Sequence, residues 1–159
     1  MAAARVKLLQ LFERVESVTP VEFAEGVAGL VDIELAWREC VRYDMSAVES
    51  VSEKELKRDG GRTLGEVMRQ NIGAISEGYL SVFGVLPWVR GRIADPLTNW
   101  VDDLWKAGAD DILVWDNVER RLFAVISDGH DEIVHCIVTT EDELIQRITA
   151  RATNPTAPQ

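Results

Sequence analysis

Apolar residues recur at helical intervals through the first two thirds of the chain. This period predicts helices over residues 4–17, 20–43, 46–58, 64–83 and 96–107. Several predicted starts carry a Ser or Thr followed three positions later by Glu, a pattern typical of the first turn of a helix. The pairs that show it are Thr19/Glu22, Ser46/Glu49, Thr63/Glu66 and Thr140/Glu143.

From Asp111 onward the pattern changes from a helical period to short apolar runs. Three strands are predicted over residues 112–115, 121–127 and 132–139. Asp128-Gly129 is a strong signal for a tight hairpin turn, because both residue types tolerate positive φ. The three strands are therefore expected to pair as an antiparallel meander. The first two runs are almost continuously apolar, which indicates a central position or burial on both faces.

These elements predict an α+β fold. Four to five N-terminal helices precede a three-stranded antiparallel β-meander and a C-terminal helix, and helices cover one face of the sheet. The 159 residues suit one domain over residues 1–151, with a helical part (1–108) and a β-β-β-α part (109–151). Residues 152–159 contain two prolines and are predicted to be a disordered tail.

The charge balance restricts the expected partners. The formal net charge is -10 and the sequence pI is near 4.7. Such a chain repels nucleic acid and anionic membranes, and it favours a basic protein. No signal peptide or apolar stretch of membrane-spanning length is recognisable. Arginine outnumbers lysine by 13 to 4, as in proteins of GC-rich bacterial or phage genomes. A cytoplasmic location is expected, with Cys40 and Cys136 as reduced thiols.

No recognised catalytic, metal-binding or nucleotide-binding motif is present, and neither a cofactor nor a metal is expected. His130 lies in the second predicted hairpin turn beside Asp128 and Asp131, where it could act as a base. A solvated turn is the more common situation for such residues. His135 and Cys136 are adjacent in a strand, so their side chains point to opposite faces and cannot form a catalytic pair.

Two groups of residues are candidates for binding a partner. The first combines Trp and Arg, the residue types enriched in interface hot spots, in a connection that contains proline. The second is an acidic run around the first predicted strand, which could form a face for a basic protein. The candidates are Trp88, Arg90 and Arg92 in the first group, and Asp102, Asp103, Asp110, Asp111, Asp116 and Glu119 in the second.

The sequence thus favours a non-enzymatic acidic protein-binding module, such as an inhibitor, an immunity-type protein, a chaperone or a phage accessory protein. It would bind a basic protein by charge complementarity, without direct contact to nucleic acid or membrane. Two alternatives stay open. One is a small enzyme with a site near residues 128–131, and the other is a structural or self-assembling subunit, including a homodimer formed through the sheet.

Overall fold

The computed structural model describes residues 2–23, 47–82, 88–109, 111–128 and 132–153. Within these ranges the chain forms five helices and seven strands. The helices are α1 (Ala2–Glu13), α2 (Glu53–Lys57), α3 (Leu64–Ile72), α4 (Trp100–Lys106) and α5 (Glu141–Thr153). The strands are β1 (Val18–Phe23), β2 (Glu49–Ser52), β3 (Glu77–Val82), β4 (Val89–Ile93), β5 (Asp111–Asp116), β6 (Arg121–Asp128) and β7 (Ile133–Thr140).

All seven strands belong to one antiparallel sheet with the order β1-β4-β3-β5-β6-β7-β2. The predicted fold class is therefore wrong, because the described part of the chain is mostly β and its helices are short. The helical part predicted over residues 1–108 contributes four of the strands. Strands from both predicted parts share one sheet, and a common core runs from Leu8 to Cys136.

The meander itself is present, with β5, β6 and β7 paired in chain order. It forms part of the larger sheet instead of a sheet of its own. β5 and β6 lie inside the sheet and are buried on both faces, as their apolar runs indicated. The turn between them, residues 117–120, brings Arg120 to a φ of 57°. The Asp116 carboxylate accepts hydrogen bonds from the backbone N–H groups of Val118 and Glu119 in this turn.

The helix predicted over residues 20–43 is wrong at its start, where β1 occupies Val18–Phe23. Its remainder, residues 24–43, lies outside the described residues. Proline opens helices well, but it is also tolerated on an outermost strand, where its missing N–H breaks no ladder bond. β1 is the outermost strand beside β4, and its register shifts between Pro20 and Glu22.

The helix predicted over residues 64–83 ends at Ile72, and residues 77–82 are strand β3. Gly73 follows the helix with a φ of 78°, a conformation that glycine adopts without steric cost. Leu80 and Val82 then point to the same face of the sheet. The spacing of Tyr79 and Val82 from the preceding apolar residues happened to fit a helical period, which explains the error.

The bounds of other predicted elements also differ from those in the structure. Residues 89–93 form strand β4 where a linker was expected. The helix expected over residues 46–58 is replaced by β2 and the short α2, whose N-cap is Ser52. The helix expected from residue 96 begins at Trp100. The predicted tail begins inside α5, which ends at Thr153, and residues 154–159 lie outside the described residues.

Apolar side chains cover both faces of the sheet. On the first face, residues of α1, α2, α3 and α4 pack over strand residues such as Leu80, Val114 and Phe123. On the second face, Leu144 of α5 packs in a smaller cluster. The other buried members of that cluster are Trp88, Leu113, Trp115, Leu122, Ala124 and Ile137.

The position of β3 inside the sheet predicts a contrast between two leucines. Leu80 is fully buried, whereas Leu97 is 72% exposed in the turn before α4. Leu80→Ala should lower the free energy of unfolding by about 2–5 kcal/mol, because it opens a cavity in the core. Leu97→Ala should change it by less than about 0.5 kcal/mol. Urea denaturation of both variants measures this, and equal effects would contradict the assignment of residues 77–82 to an interior strand.

Candidate binding surface

Asp102 lies in α4 and caps the neighbouring helix α3. Its side chain is 4% exposed, and its two oxygens accept hydrogen bonds of 2.8 Å from the backbone N–H groups of Leu64 and Gly65. Thr63 completes the cap, since its Oγ1 accepts from the N–H of Glu66 and its carbonyl from the N–H of Val67. The N–H groups of the first three helical residues, which a helix start leaves without an acceptor inside the helix, are therefore all bonded to side chains. Asp102 is therefore a structural residue, and its buried carboxylate is not accessible to a partner.

Burial raises the pKa of Asp102 above its ordinary value of 3.8, because the charged form loses hydration. The hydrogen bonds from Gly65 and Leu64 and the charge of Lys106 oppose this shift without cancelling it. Close packing accompanies the cap. A Cβ added at Gly65 would lie 2.6 Å from Oδ1 of Asn99, the residue that precedes α4.

Asp103 points in a different direction from Asp102 and is exposed. Its carboxylate accepts a hydrogen bond of 3.0 Å from Ser17 Oγ, which joins α4 to the turn before β1. Ser17 and Asp103 line an open groove of about 870 Å³. This groove, called the acidic groove, is lined by Arg14, Val15, Glu16, Ser17, Ala94, Asp95, Thr98, Asp103, Lys106 and Ala107.

The acidic groove brings together three exposed carboxylates from separate segments, those of Glu16, Asp95 and Asp103. Arg14 and Lys106 lie in the same lining, so the sum of side-chain charges is 2 minus 3, or -1. Asp103 was the one residue of the groove recognised in the sequence. Ser17 and Asp103 are 86 positions apart, so no local sequence pattern could have placed Glu16, the residue before Ser17, in one groove with Asp103.

The tryptophan and arginines of the first candidate group do not form one exposed surface. Trp88 is 3% exposed and packs in the cluster on the second face, so its side chain belongs to the core. Arg90 forms ion pairs with Glu22 (3.2 Å) and Glu77 (2.8 Å) across the neighbouring strands. The hydrogen bond to Glu77, more than any other cause, raises the pKa of Arg90. Arg92 is exposed on β4.

The rest of the predicted acidic face is also divided. Asp111 and Asp116 lie at opposite ends of β5, and Asp110 lies outside the described residues. Asp116 is 5% exposed, and its carboxylate accepts the hydrogen bonds of the β5–β6 turn. Its Oδ2 also lies 3.3 Å from Nη2 of Arg121. Glu119 is exposed in that turn. The acidic run therefore does not form a single surface, because the strand separates its members.

Cys136 and His135, which were considered as candidates for catalysis, lie on opposite faces of β7. Burial raises the pKa of the Cys136 thiol to about 12, and the nearby charges of Glu49 and Asp102 add to this effect. Such a thiol stays protonated and is a poor nucleophile. His135 lies on the other face of β7, with Nδ1 2.8 Å from Oγ of Ser50. The turn at residues 129–131 lies outside the described residues.

The described ranges contain no group of three or more His, Cys, Asp or Glu residues that could hold a metal ion. None of their helices has the length and apolar character needed to cross a membrane.

Comparisons with protein-family models, curated proteins and solved structures gave no match in any of the three. Function must therefore be inferred from the chemistry and geometry of the chain itself.

The different roles of two adjacent aspartates lead to a matched prediction. Asp102→Ala should lower the free energy of unfolding by about 1–3 kcal/mol, because two buried N–H groups lose their acceptor. Asp103→Ala removes an exposed hydrogen bond and should cost less than about 1 kcal/mol. Chemical denaturation of both variants tests this. A larger loss for Asp103→Ala would show that the Asp102 cap is not the main link between the helices.

The raised pKa of Asp102 predicts a pH dependence. The folded protein binds this proton more tightly than the unfolded chain, so the stabilising contribution is fully present below pH 3.8 and is lost as pH rises through the folded-state pKa. Asp102→Asn cannot titrate there. The stability of the native chain relative to this variant should therefore increase as the pH is lowered from about 7 to about 4. Urea unfolding at several pH values measures it, and a decrease would contradict the sign of the shift.

Proposed function

We propose that the chain is a non-enzymatic protein-binding module that recognises a basic partner, with the acidic groove as the contact surface. The observation that carries the proposal is the convergence of Glu16, Asp95 and Asp103 on one open groove. Each comes from a separate segment, and each is exposed to an approaching partner. An inhibitor, an immunity-type protein, a chaperone or a phage accessory protein would all act in this way.

The pairing of arginines supports the electrostatic part of the proposal. Six arginines of the described part lie within ion-pair distance of a carboxylate of the chain itself: Arg58, Arg62, Arg90, Arg120, Arg121 and Arg147. Their charges are compensated locally by eight carboxylates, so eight of the ten excess negative charges lie elsewhere in the chain. A field of one sign steers an oppositely charged protein and raises its association rate.

The geometry of the groove fits a contact with side chains of another protein. Its walls come from the turn before β1, the turn after β4 and the exposed side of α4. The Asp103 carboxylate is oriented by Ser17, and Asp95 Oδ1 accepts from the N–H of Leu97 at 3.0 Å. Both carboxylates are thus held in place before binding, which lowers the entropic cost of association.

A cytoplasmic location is part of the proposal, and the partner is expected to be a protein and not nucleic acid or membrane. The free, buried thiol of Cys136 fits a reducing compartment. Association of two copies through the sheet stays a prediction, and the size of the particle in solution would measure it.

Charge substitutions in the groove test the function. The triple variant Glu16→Gln, Asp95→Asn, Asp103→Asn keeps the hydrogen-bond acceptors and removes three charges. The control triple variant Asp59→Asn, Glu132→Gln, Asp142→Asn removes three exposed charges outside the groove. Because both variants have the same net charge, a difference between them reports on the location of the contact.

The tagged chain and both variants would be used to capture partners from extract of the source cells, at about 0.1 M and about 1 M salt, where the screening length falls from about 10 Å to about 3 Å. The native chain and the control should retain one stoichiometric basic protein at low salt. The groove variant should associate with it about tenfold more slowly. Capture that is unaffected by salt, or equally weakened in both variants, would overturn the proposal.

A further inference from the structure

Ser50 and His135 form a pair of side chains at the edge of the sheet that the acidic groove does not involve. They are direct register partners on β2 and β7, and Ser50 Oγ lies 2.8 Å from His135 Nδ1. Ser50 is exposed and His135 is partly buried. A serine hydroxyl within hydrogen-bond reach of an imidazole nitrogen is the arrangement in which histidine activates serine as a nucleophile.

The strand β2 is held in place on both sides of Ser50. The guanidinium of Arg62 donates two hydrogen bonds to Glu49, of 2.6 and 2.8 Å, and these are the main cause of the lowered pKa of Glu49. Ser52 Oγ accepts from the N–H of Glu55 and so ties the other end of the strand to α2. Val51 is buried on the first face, which fixes the register.

These contacts fix the register of β2 against β7, and this register places Ser50 opposite His135. A shift of β2 by one residue would move Ser50 to the opposite face and expose Val51. Two hydrogen bonds to Glu49 and one buried valine oppose this shift. The serine and the histidine are therefore positioned before any reagent arrives, which is the condition under which a general base is effective.

We propose that Ser50 is a site of covalent acylation by activated esters of short carboxylic acids, with His135 as the general base. Ser50 Oγ forms a bond to the carbonyl carbon, and the bond from that carbon to the leaving oxygen breaks with its electron pair. The hydroxyl proton passes to His135 Nδ1 and from there to solvent or to the leaving group. The product is one acyl ester on the chain, so the site lies outside the binding function proposed for the groove.

The probe is p-nitrophenyl acetate, applied to the full chain, with the acetylated position determined by fragmenting the peptide that contains both Ser50 and Ser52. Ser52 is an internal reference, because it is exposed on the same strand and bonds to the backbone of Glu55. Ser50 should be acetylated at least about tenfold faster than Ser52, since a positioned base contributes about 10²–10⁴-fold in enzymes.

Two variants separate the role of the base from general exposure. His135→Gln keeps a hydrogen-bonding side chain without a base and should lower the acetylation of Ser50 to the rate of Ser52. Ser50→Ala should remove this label and leave labelling elsewhere unchanged. Circular dichroism and thermal unfolding confirm that both variants are folded. Equal rates at Ser50 and Ser52 in the native chain, or undiminished labelling of Ser50 in His135→Gln, would overturn the proposal.

Discussion

The carboxylate of Asp102 joins two of the helices that cover the first face of the sheet. It belongs to α4, yet its two oxygens bond to the first N–H groups of α3. A buried carboxylate costs hydration free energy, and here the N–H groups at a helix start compensate part of that cost. Arg69 of α3 reinforces the link by donating to Thr98 O and Asn99 Oδ1. The core under both helices depends on this connection, because Leu64, Val67, Trp100 and Leu104 are all buried there.

A second constraint is the local neutralisation of charge. Arg62 shows this neutralisation most clearly, because its guanidinium donates hydrogen bonds to Glu49 of β2 and to Glu66 of α3. It thereby connects β2, an edge strand of the sheet, to the helices on the first face. Exposed ion pairs of this kind contribute little stability individually, and their value lies in specifying geometry. Their consequence for function is that the remaining acidic groups determine the field outside the molecule. The same pairs on β2 hold Ser50 opposite His135.

Local sequence signals were accurate where neighbouring residues satisfy one another. Thr63 and Thr140 cap their helices, because each accepts from the N–H group three residues later. The β5–β6–β7 meander was also predictable, since consecutive strands joined by short turns pair with each other. The failures occurred at β1, β3 and β4, where the pairing partners are distant or where a helical period continued through a strand. The candidate site was predicted poorly for the same reason, and only Asp103 among its three carboxylates was recognised.

The sequence by itself determined the composition, the excess of negative charge, the starts of α3 and α5 and the strands of the C-terminal meander. These properties depend on single residues or on neighbours a few positions apart. The tertiary structure alone decided that strands from both halves form one sheet, that Trp88 and Asp102 are buried, and that Glu16, Asp95 and Asp103 share a groove. Burial and grouping depend on contacts between residues far apart in the chain, and a pattern of neighbouring residues carries no information about such contacts.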